Sequence, residues 1–257
     1  MNKYSLLRLT SACLTACFIA VSAHAQSALH VYGPGGPAPA MKQAAAAFTQ
    51  QTGVEVQVTA GPAPKWKDQA QQNADLIYSG SEHMMSDFGR LFEGLFDLQD
   101  ARPLYLRPSA VLVRPGNPKS IQGFKDLLKP GVKVLVVAGA GQTGLWEDLA
   151  GRAGRIEDVR ALRQNLLLPE APNSGVAKQM WQDDDTIDAW LIWNIWQKAN
   201  PDLADLVEIE PEYTIWRDTG IVITSHGKDK AQAQDFVDFL QSEAGQKIFA
   251  TQGWRVD

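Results

Sequence analysis

Residues 132–148 read VKVLVVAGAGQTGLWED, and this stretch decides the fold. Its first half is apolar and rich in β-branched residues, which predicts a buried strand over 132–138. Three glycines follow within 139–144 and predict a sharp turn, after which the last four residues begin a helix. The first amides of a helix have no intrahelical partner, so they point into such a turn and attract anions. The stretch therefore predicts a strand, a turn and a helix N-terminus suited to an anion.

The glycine turn also fits two other interpretations. Gly139-x-Gly141-x-x-Gly144 has the spacing of the dinucleotide-binding fingerprint. That motif needs an acidic residue about 20 positions further on, at the end of the next strand. The segment that follows is instead a predicted helix over 156–165 and then 166–170, which offer no clean counterpart. No Gly-Lys-Ser/Thr follows, which excludes a P-loop. Nucleotide binding and a plain turn without a ligand remain the alternatives to an anion site.

The N-terminus has the pattern of a secretory signal peptide. Lys3 and Arg8 precede an apolar run over 9–21, and a small-x-small site then predicts cleavage after Ala25. Cys17 is preceded by Leu-Thr-Ala, which resembles a lipobox and leaves a lipid anchor as the alternative. The sequence therefore predicts an exported, periplasmic protein.

Composition narrows the classes of function. Removing residues 1–25 takes away two basic and no acidic residues, which leaves 22 Lys and Arg against 29 Asp and Glu, a net charge of −7. Nucleic acid is therefore not an expected partner. Both cysteines lie in the removed segment and the other histidines are scattered, so no disulfide, metal site or cofactor is expected. No Gly-x-Ser-x-Gly or other catalytic set occurs, and an enzyme is not predicted.

Strand, small-residue loop and helix alternate along the whole mature chain. Predicted strands at 29–32, 54–58 and 74–78 each lead into a loop and then a helix. The same alternation resumes at 132–138 and includes a buried strand at 187–193. This order predicts an α/β fold of mostly parallel sheets flanked by helices, with a ligand crevice at the carboxyl ends of the strands.

Two extended segments are too long to be connections within one lobe. They cover 103–115 and 207–223, and we interpret them as crossovers between two lobes. The chain would then form lobe I from 26–106 and 219–257, and lobe II from 107–218. Helix N-termini from both lobes would face each other across the cleft between them.

Seven ordered motifs resemble one known family, the accessory colonisation factor C and antigenic-adhesin family of periplasmic binding proteins. The motifs are Tyr32-Gly33-Pro34-Gly35-Gly36-Pro37, Gly61-Pro62 with Trp66, Thr143-Gly144-Leu145-Trp146-Glu147-Asp148, Ala171-Pro172-Asn173-Ser174-Gly175, Asp188-Ala189-Trp190, Glu208-Ile209-Glu210-Pro211-Glu212-Tyr213, and Gly253-Trp254. The resemblance covers nearly the whole mature chain, from about Leu29 to Trp254.

The resemblance implies a two-lobe, type II periplasmic binding fold similar to that of molybdate- and sulfate-binding proteins. It implies capture of a small oxyanion or a carboxylate- or phosphate-bearing organic acid, a membrane transporter of the ABC type as partner, and a homodimer. A surface adhesin with the same fold is the alternative. The loop 139–142 is shorter here than is usual in the family, so its contact with a ligand is left open.

The predicted ligand-binding residues are amides and hydroxyls at helix starts, together with two cations and one phenol. They are Gly35, Gly36, Lys65, Ser79, Ser81, Thr143, Gly144, Asn173, Ser174, Tyr213 and Arg217. Each polar one could instead be an ordinary helix cap or surface residue. Four tryptophans suggest either sugar stacking or core packing, of which the core is the better fit. They are Trp181, Trp190, Trp193 and Trp196.

Overall fold

The computed structural model describes residues 28–139 and 141–257. The predicted signal peptide, its cleavage site and the lipobox cysteine lie outside the described residues. Strands and helices alternate as predicted. The strands are β1 Leu29–Gly33, β2 Val56–Ala60, β3 Leu76–Tyr78, β4 Arg102–Val113, β5 Val134–Leu135, β6 Ala189–Trp193, β7 Asp205–Glu208 and β8 Trp216–Ile223. The helices are α1 Ala38–Thr52, α2 Lys67–Asn73, α3 Glu82–Leu91, α4 Leu145–Gly151, α5 Ile156–Asn165, α6 Ser174–Asp183, α7 Ile195–Ala199, α8 Ala231–Gln241 and α9 Glu243–Thr251.

The sheet is mixed, with its parallel pairs inside the βαβ units. β1 lies parallel between β2 and β3, and β5 lies parallel to β6. The long strands pair antiparallel: β8 with β3 and β4, and β4 with β6 and β7. The strand order is β2-β1-β3-β8-β4-β6-β5, with β7 on β4. The alternation thus predicted the parallel pairs correctly, while the crossover strands make the whole sheet mixed rather than mostly parallel.

β4 is the strand that joins the two halves of the sheet. Its residues from Arg102 to Pro108 pair with β8, and those from Ser109 to Val113 pair with β6. The predicted outgoing crossover is therefore a single strand. The predicted return crossover is divided into β7 and β8 by a turn, in which the Glu210 carbonyl accepts a hydrogen bond from the amide of Tyr213 at 2.9 Å.

The strand predicted over 132–138 is shorter in the structure. Only Val134 and Leu135 pair with β6, although the run up to Val137 is buried. Val137 forms an isolated bridge to Ala171. The outer neighbour of β5 is thus the irregular segment after α5. The apolar run reflects burial beneath that segment as much as strand pairing.

A cluster around Trp66 fixes the turn at 61–65 against α3. The Trp66 ring stacks on Phe92 with centroids 5.7 Å apart and meets Phe88 edge-on at 5.6 Å. Its indole N–H donates to the carbonyl of Gly61 at 2.9 Å. Aromatic pairs of this kind add to the stability that burial provides. The turn and α3 are therefore held as one unit.

Candidate functional site

A cleft of about 1050 Å³ lies where the loops after the strands meet the ends of the helices. Its walls come from both halves of the sheet. The lining residues are 34–37, 61–65, Gly80, His83, Met84, Asp87, Phe88, Leu91, Arg107, 141–143, 172–176, Gln179, Trp193 and Trp196. The volume is that of a small-molecule site.

Helix N-termini from both halves of the sheet open onto this cleft. α3 begins after Ser81, whose hydroxyl accepts a hydrogen bond from the amide of Met84 at 3.1 Å. α6 begins after Asn173, whose amide oxygen accepts from the amide of Val176 at 3.0 Å. α1 begins after Pro37 and has no side-chain cap. The partial positive charge at each helix start therefore lies at the cleft wall.

The loop that carries the glycine turn is part of this wall. Gly141 has φ 78° and packs against Gly80, where a Cβ on Gly141 would lie 2.8 Å from the Gly80 carbonyl oxygen. The Gln142 side-chain amide donates to the Ser174 hydroxyl at 2.7 Å. A glycine is thus required at 141 by both conformation and contact. The loop joins the start of α6 to the loop before α3.

Arg107 is buried at the base of the cleft. Its guanidinium donates to the carbonyl of Gly80 at 2.5 Å and to the carbonyl of Asp218 at 2.6 Å. The Arg107 guanidinium carbon also lies 4.6 Å from the Trp193 ring centroid and 4.9 Å from that of Trp254. Burial lowers the pKa of Arg107 to about 9, partly offset by the nearby Asp218 carboxylate, so the side chain stays charged at neutral pH. The base of the cleft is therefore cationic.

Three buried polar atoms on lining residues have no hydrogen-bond partner among the described residues. They are Nε of Arg107, Nε1 of Trp193 and Oε1 of Gln142. Buried polar groups are nearly always paired in folded proteins, because an unpaired one has lost its hydration. Two donors and one acceptor at the base of the cleft are typical of a site for a polar ligand.

Six of the predicted site residues line the cleft. They are Gly35, Gly36, Lys65, Thr143, Asn173 and Ser174. Lys65 is exposed and has no carboxylate within ion-pair distance among the described residues. The prediction that small-residue loops from distant parts of the chain meet at one cleft therefore agrees with the geometry.

The other five predicted residues do not line the cleft. Ser79 is fully buried behind the wall, and its hydroxyl accepts from the amide of Gly220 at 3.3 Å. Ser81 is buried and caps the start of α3. Gly144 follows the lining loop and is the N-cap residue of α4. Tyr213 is buried against Phe124, with ring centroids 4.9 Å apart. Arg217 forms an ion pair with Asp148 at 2.7 Å.

Besides the tryptophans, five polar or charged lining residues were not among the predicted ligands: His83, Asp87, Arg107, Gln142 and Gln179. Arg107 is the one charged residue between Pro103 and Val113 in the first crossover, and a charge within such an apolar run is a candidate for a buried cation. All four tryptophans considered for sugar stacking or core packing contact the core. Trp193 and Trp196 also border the cleft, whereas Trp181 and Trp190 do not.

Two further features are absent from the described residues. They contain no group of three or more His, Cys, Asp or Glu that could hold a metal ion. None of their helices is long and apolar enough to cross a membrane.

Comparisons with solved structures agree with this architecture. L-phospholactate-bound PEB3 is 35% identical, with a TM-score of 0.81 over 88% of this chain and 99% of that chain. Peb3 from Campylobacter jejuni is 34% identical, with a TM-score of 0.82 over the same shares. The sulfate-binding protein SubI from Mycobacterium tuberculosis, at 20% identity and a TM-score of 0.73 over 90% of this chain and 87% of that chain, shares the fold. No match was found among curated proteins.

A family model covers nearly all of the described chain. The model of bacterial extracellular solute-binding proteins matches residues 29–255. The type II binding fold and the resemblance inferred from the seven motifs are thereby confirmed. The chain belongs to the family of bacterial extracellular solute-binding proteins.

Proposed function

We propose that this protein captures a small organic or inorganic anion in the cleft and delivers it to an ABC-type membrane transporter without chemical change. The observation that carries the proposal is the meeting of the α3 and α6 N-termini with the buried Arg107 at one cleft. Main-chain amides and a guanidinium are the groups that bind carboxylate, phosphate and tetrahedral oxyanions.

The net negative charge of the mature chain does not oppose this proposal. Exposed charges are screened beyond about 8 Å at physiological ionic strength, whereas donors at contact distance act in full. The residues that we assign to ligand contact are those predicted residues that line the cleft, with Arg107 added. They are Gly35, Gly36, Lys65, Arg107, Thr143, Asn173 and Ser174.

The ligands of similar proteins support an anion. PEB3 was crystallised with L-phospholactate, SubI is a sulfate-binding protein, and AfuA from Actinobacillus pleuropneumoniae holds fructose-6-phosphate. The substrate-binding domain from Clostridium difficile belongs to a putative molybdenum ABC transporter. Phospholactate, sulfate and fructose-6-phosphate each carry negative charge, and we infer that the solute of this protein does as well.

We further infer that the cleft closes by a hinge. Lobe I would consist of residues 26–106 and 219–257, and lobe II of residues 107–218. The two lobes would be joined where β4 pairs with β8, near Arg107 and Asp218. Rotation about two paired strands is a common way for a binding protein to enclose a ligand. We also infer cleavage after Ala25, release into the periplasm and a homodimer, which N-terminal mass spectrometry and light scattering would test.

A thermal-shift screen tests the proposal directly. The probes are sulfate, phosphate, molybdate, fructose-6-phosphate and di- and tricarboxylates, each added to protein purified without these anions. A ligand at 100 times its dissociation constant stabilises the folded state by about 2.7 kcal/mol, so a binder raises the melting temperature clearly. Failure of every anion to do so, with calorimetry also showing no heat of binding, would overturn the proposal.

A further inference from the structure

The cleft differs in chemistry along α3. At the start of this helix lie the Gly80 carbonyl, the Arg107 guanidinium that donates to it and the Gly141 backbone. The lining residues further along the helix include Phe88 and Leu91. A helix rises about 1.5 Å per residue, so Leu91 lies about 13 Å from the first turn of α3. One end of the cleft is thus polar and cationic, and the other is apolar.

The apolar end is a formed surface that faces the cleft. Met84, Phe88 and Leu91 follow at i, i+4 and i+7, which places them on one side of the helix. Phe88 is held by Trp66, and the neighbouring turn adds Ala63 and Pro64 to the same wall. Leu91 is 43% exposed although it borders a cleft. Apolar surface exposed beside polar groups marks a site for a ligand with an apolar part.

One carboxylate lies on this side of α3, and its charge is already paired. Asp87 forms an ion pair with His83 at 3.6 Å when the imidazole is protonated, and a second ion pair with Arg90. All three residues are on α3, so the pairing keeps the Asp87 charge on the helix surface. Asp87 therefore does not convert the apolar end into a cation site.

We propose that the solute is an amphipathic organic acid. Its acid group lies at the end of the cleft formed by Arg107 and the helix starts, and an alkyl or aryl group of several carbons lies along α3 against Phe88 and Leu91. The proposal rests on the proposed function of the same cleft and adds the class of solute. An inorganic oxyanion consists of a few atoms, so it would satisfy the polar end and leave the apolar end facing water.

A series of acids that differ only in chain length tests the apolar contact. The probes are inorganic phosphate, methylphosphonate, butylphosphonate and hexylphosphonate, with acetate and hexanoate as the carboxylate pair. Burial of a methylene contributes about 0.8 kcal/mol, which corresponds to roughly a fourfold gain in affinity per carbon. We expect calorimetric affinity to rise by up to that factor per carbon from methyl to hexyl.

A matched pair of leucines shows where the chain of the acid lies. Leu91→Ser removes an exposed leucine that lines the cleft, and Leu98→Ser removes one of equal exposure, 44%, that does not. Leu91→Ser should weaken binding of hexylphosphonate about tenfold more than it weakens binding of methylphosphonate. Leu98→Ser should change neither. Thermal unfolding of both variants shows that the fold is intact.

The outcomes separate this proposal from the function on which it rests. Equal affinity for phosphate, methylphosphonate and hexylphosphonate would overturn the amphipathic solute and leave anion capture standing. The same holds for a chain-length gain that Leu91→Ser leaves intact. Binding of none of the acids, together with a failed anion screen, would overturn anion capture itself.

Discussion

The surroundings of Arg107 and those of Arg217 differ, although the two residues lie directly opposite each other on β4 and β8. Arg107 is buried, stacks near two tryptophan rings and donates to main-chain carbonyls. Arg217 is partly exposed and pairs with the Asp148 carboxylate. Arg107 therefore offers the cleft a cation that the nearby Asp218 carboxylate offsets only in part, whereas Arg217 is already held in an ion pair.

The difference shows that residue type and strand position do not define a ligand-binding arginine. Pairing with carbonyls leaves the positive charge of Arg107 available, because a carbonyl carries no net charge to cancel it. Pairing with a carboxylate removes most of the long-range field of Arg217. The sequence favoured Arg217 because a guanidinium matches a carboxylate or phosphate, whereas in the structure Arg107 and not Arg217 lines the cleft.

The largest expected effect is that of Arg107→Met against Arg217→Met. Arg107→Met leaves two buried carbonyls without donors and should lower the free energy of unfolding by about 2–4 kcal/mol. Arg217→Met removes a partly exposed ion pair and should cost less than about 1 kcal/mol. Urea unfolding measures both changes.

The affinity for an anion should also differ between Arg107→Met and Arg217→Met. Loss of a charge-assisted contribution of about 1.5–3 kcal/mol predicts at least a tenfold weaker binding for Arg107→Met. Arg217→Met should stay within about twofold. Equal loss of affinity in the two variants would contradict the division between the two arginines.

A second test uses the glycine that packs against the Gly80 carbonyl. Gly141→Ala and Gly144→Ala both place a Cβ on a left-handed backbone, φ 78° and φ 72°, at a cost of about 1–2 kcal/mol. A Cβ at 141 would also push the carbonyl that Arg107 holds, whereas one at 144 meets nothing within 4 Å. Only Gly141→Ala should therefore weaken anion binding as well, by calorimetry.

A third test compares the two helix caps. Asn173→Ala and Ser81→Ala each remove one capping hydrogen bond and should each cost about 1 kcal/mol in thermal unfolding. Asn173 lines the cleft and Ser81 does not, so only Asn173→Ala should weaken anion binding. A loss of affinity in Ser81→Ala of the same size would show that the start of α3, not the Asn173 side chain, governs the site.

The smallest expected effect is that of Glu82, whose carboxylate lies near that of Asp218. Partial desolvation in the folded state, followed by the nearby Asp218 carboxylate, raises the pKa of Glu82 above its ordinary value. The folded state then holds the proton more tightly than the unfolded chain, so this group lowers stability as pH rises above the unfolded pKa near 4.5. Glu82→Gln should therefore be more stable than the parent at pH 7, by less than about 0.5 kcal/mol because the side chain is exposed.

The pH profile checks the sign of that prediction. At pH 3.5 the Glu82 side chain of the parent is largely protonated and therefore neutral, like the glutamine of the variant. The difference in the free energy of unfolding between Glu82→Gln and the parent, measured in urea, should then vanish. Glu93→Gln, which removes an exposed carboxylate outside the cleft, is the control variant. A parent that is more stable than Glu82→Gln at pH 7 would contradict the raised pKa.

Local sequence patterns determined the helices and the cleft loops. α5 begins and ends where the pattern placed it, at Ile156 and Asn165, because apolar spacing is a local property. The capped starts of α3 and α6 were also readable, since an N-cap acts within three residues. The glycines and prolines of the lining loops followed from turn chemistry in the same way.

Tertiary structure decided which polar groups face the cleft. Tyr213 and Ser79 carry suitable chemistry, but long-range packing turns Tyr213 onto Phe124 and buries Ser79 behind the wall. Arg107 reaches the cleft because β4 runs between the halves of the sheet and the Gly80 and Asp218 carbonyls receive its guanidinium. These contacts join residues 27 and 111 positions apart. Helix starts and turns depend on residues that are neighbours in sequence, so the sequence predicts them. Burial and charge pairing depend on residues that only the folded structure brings together.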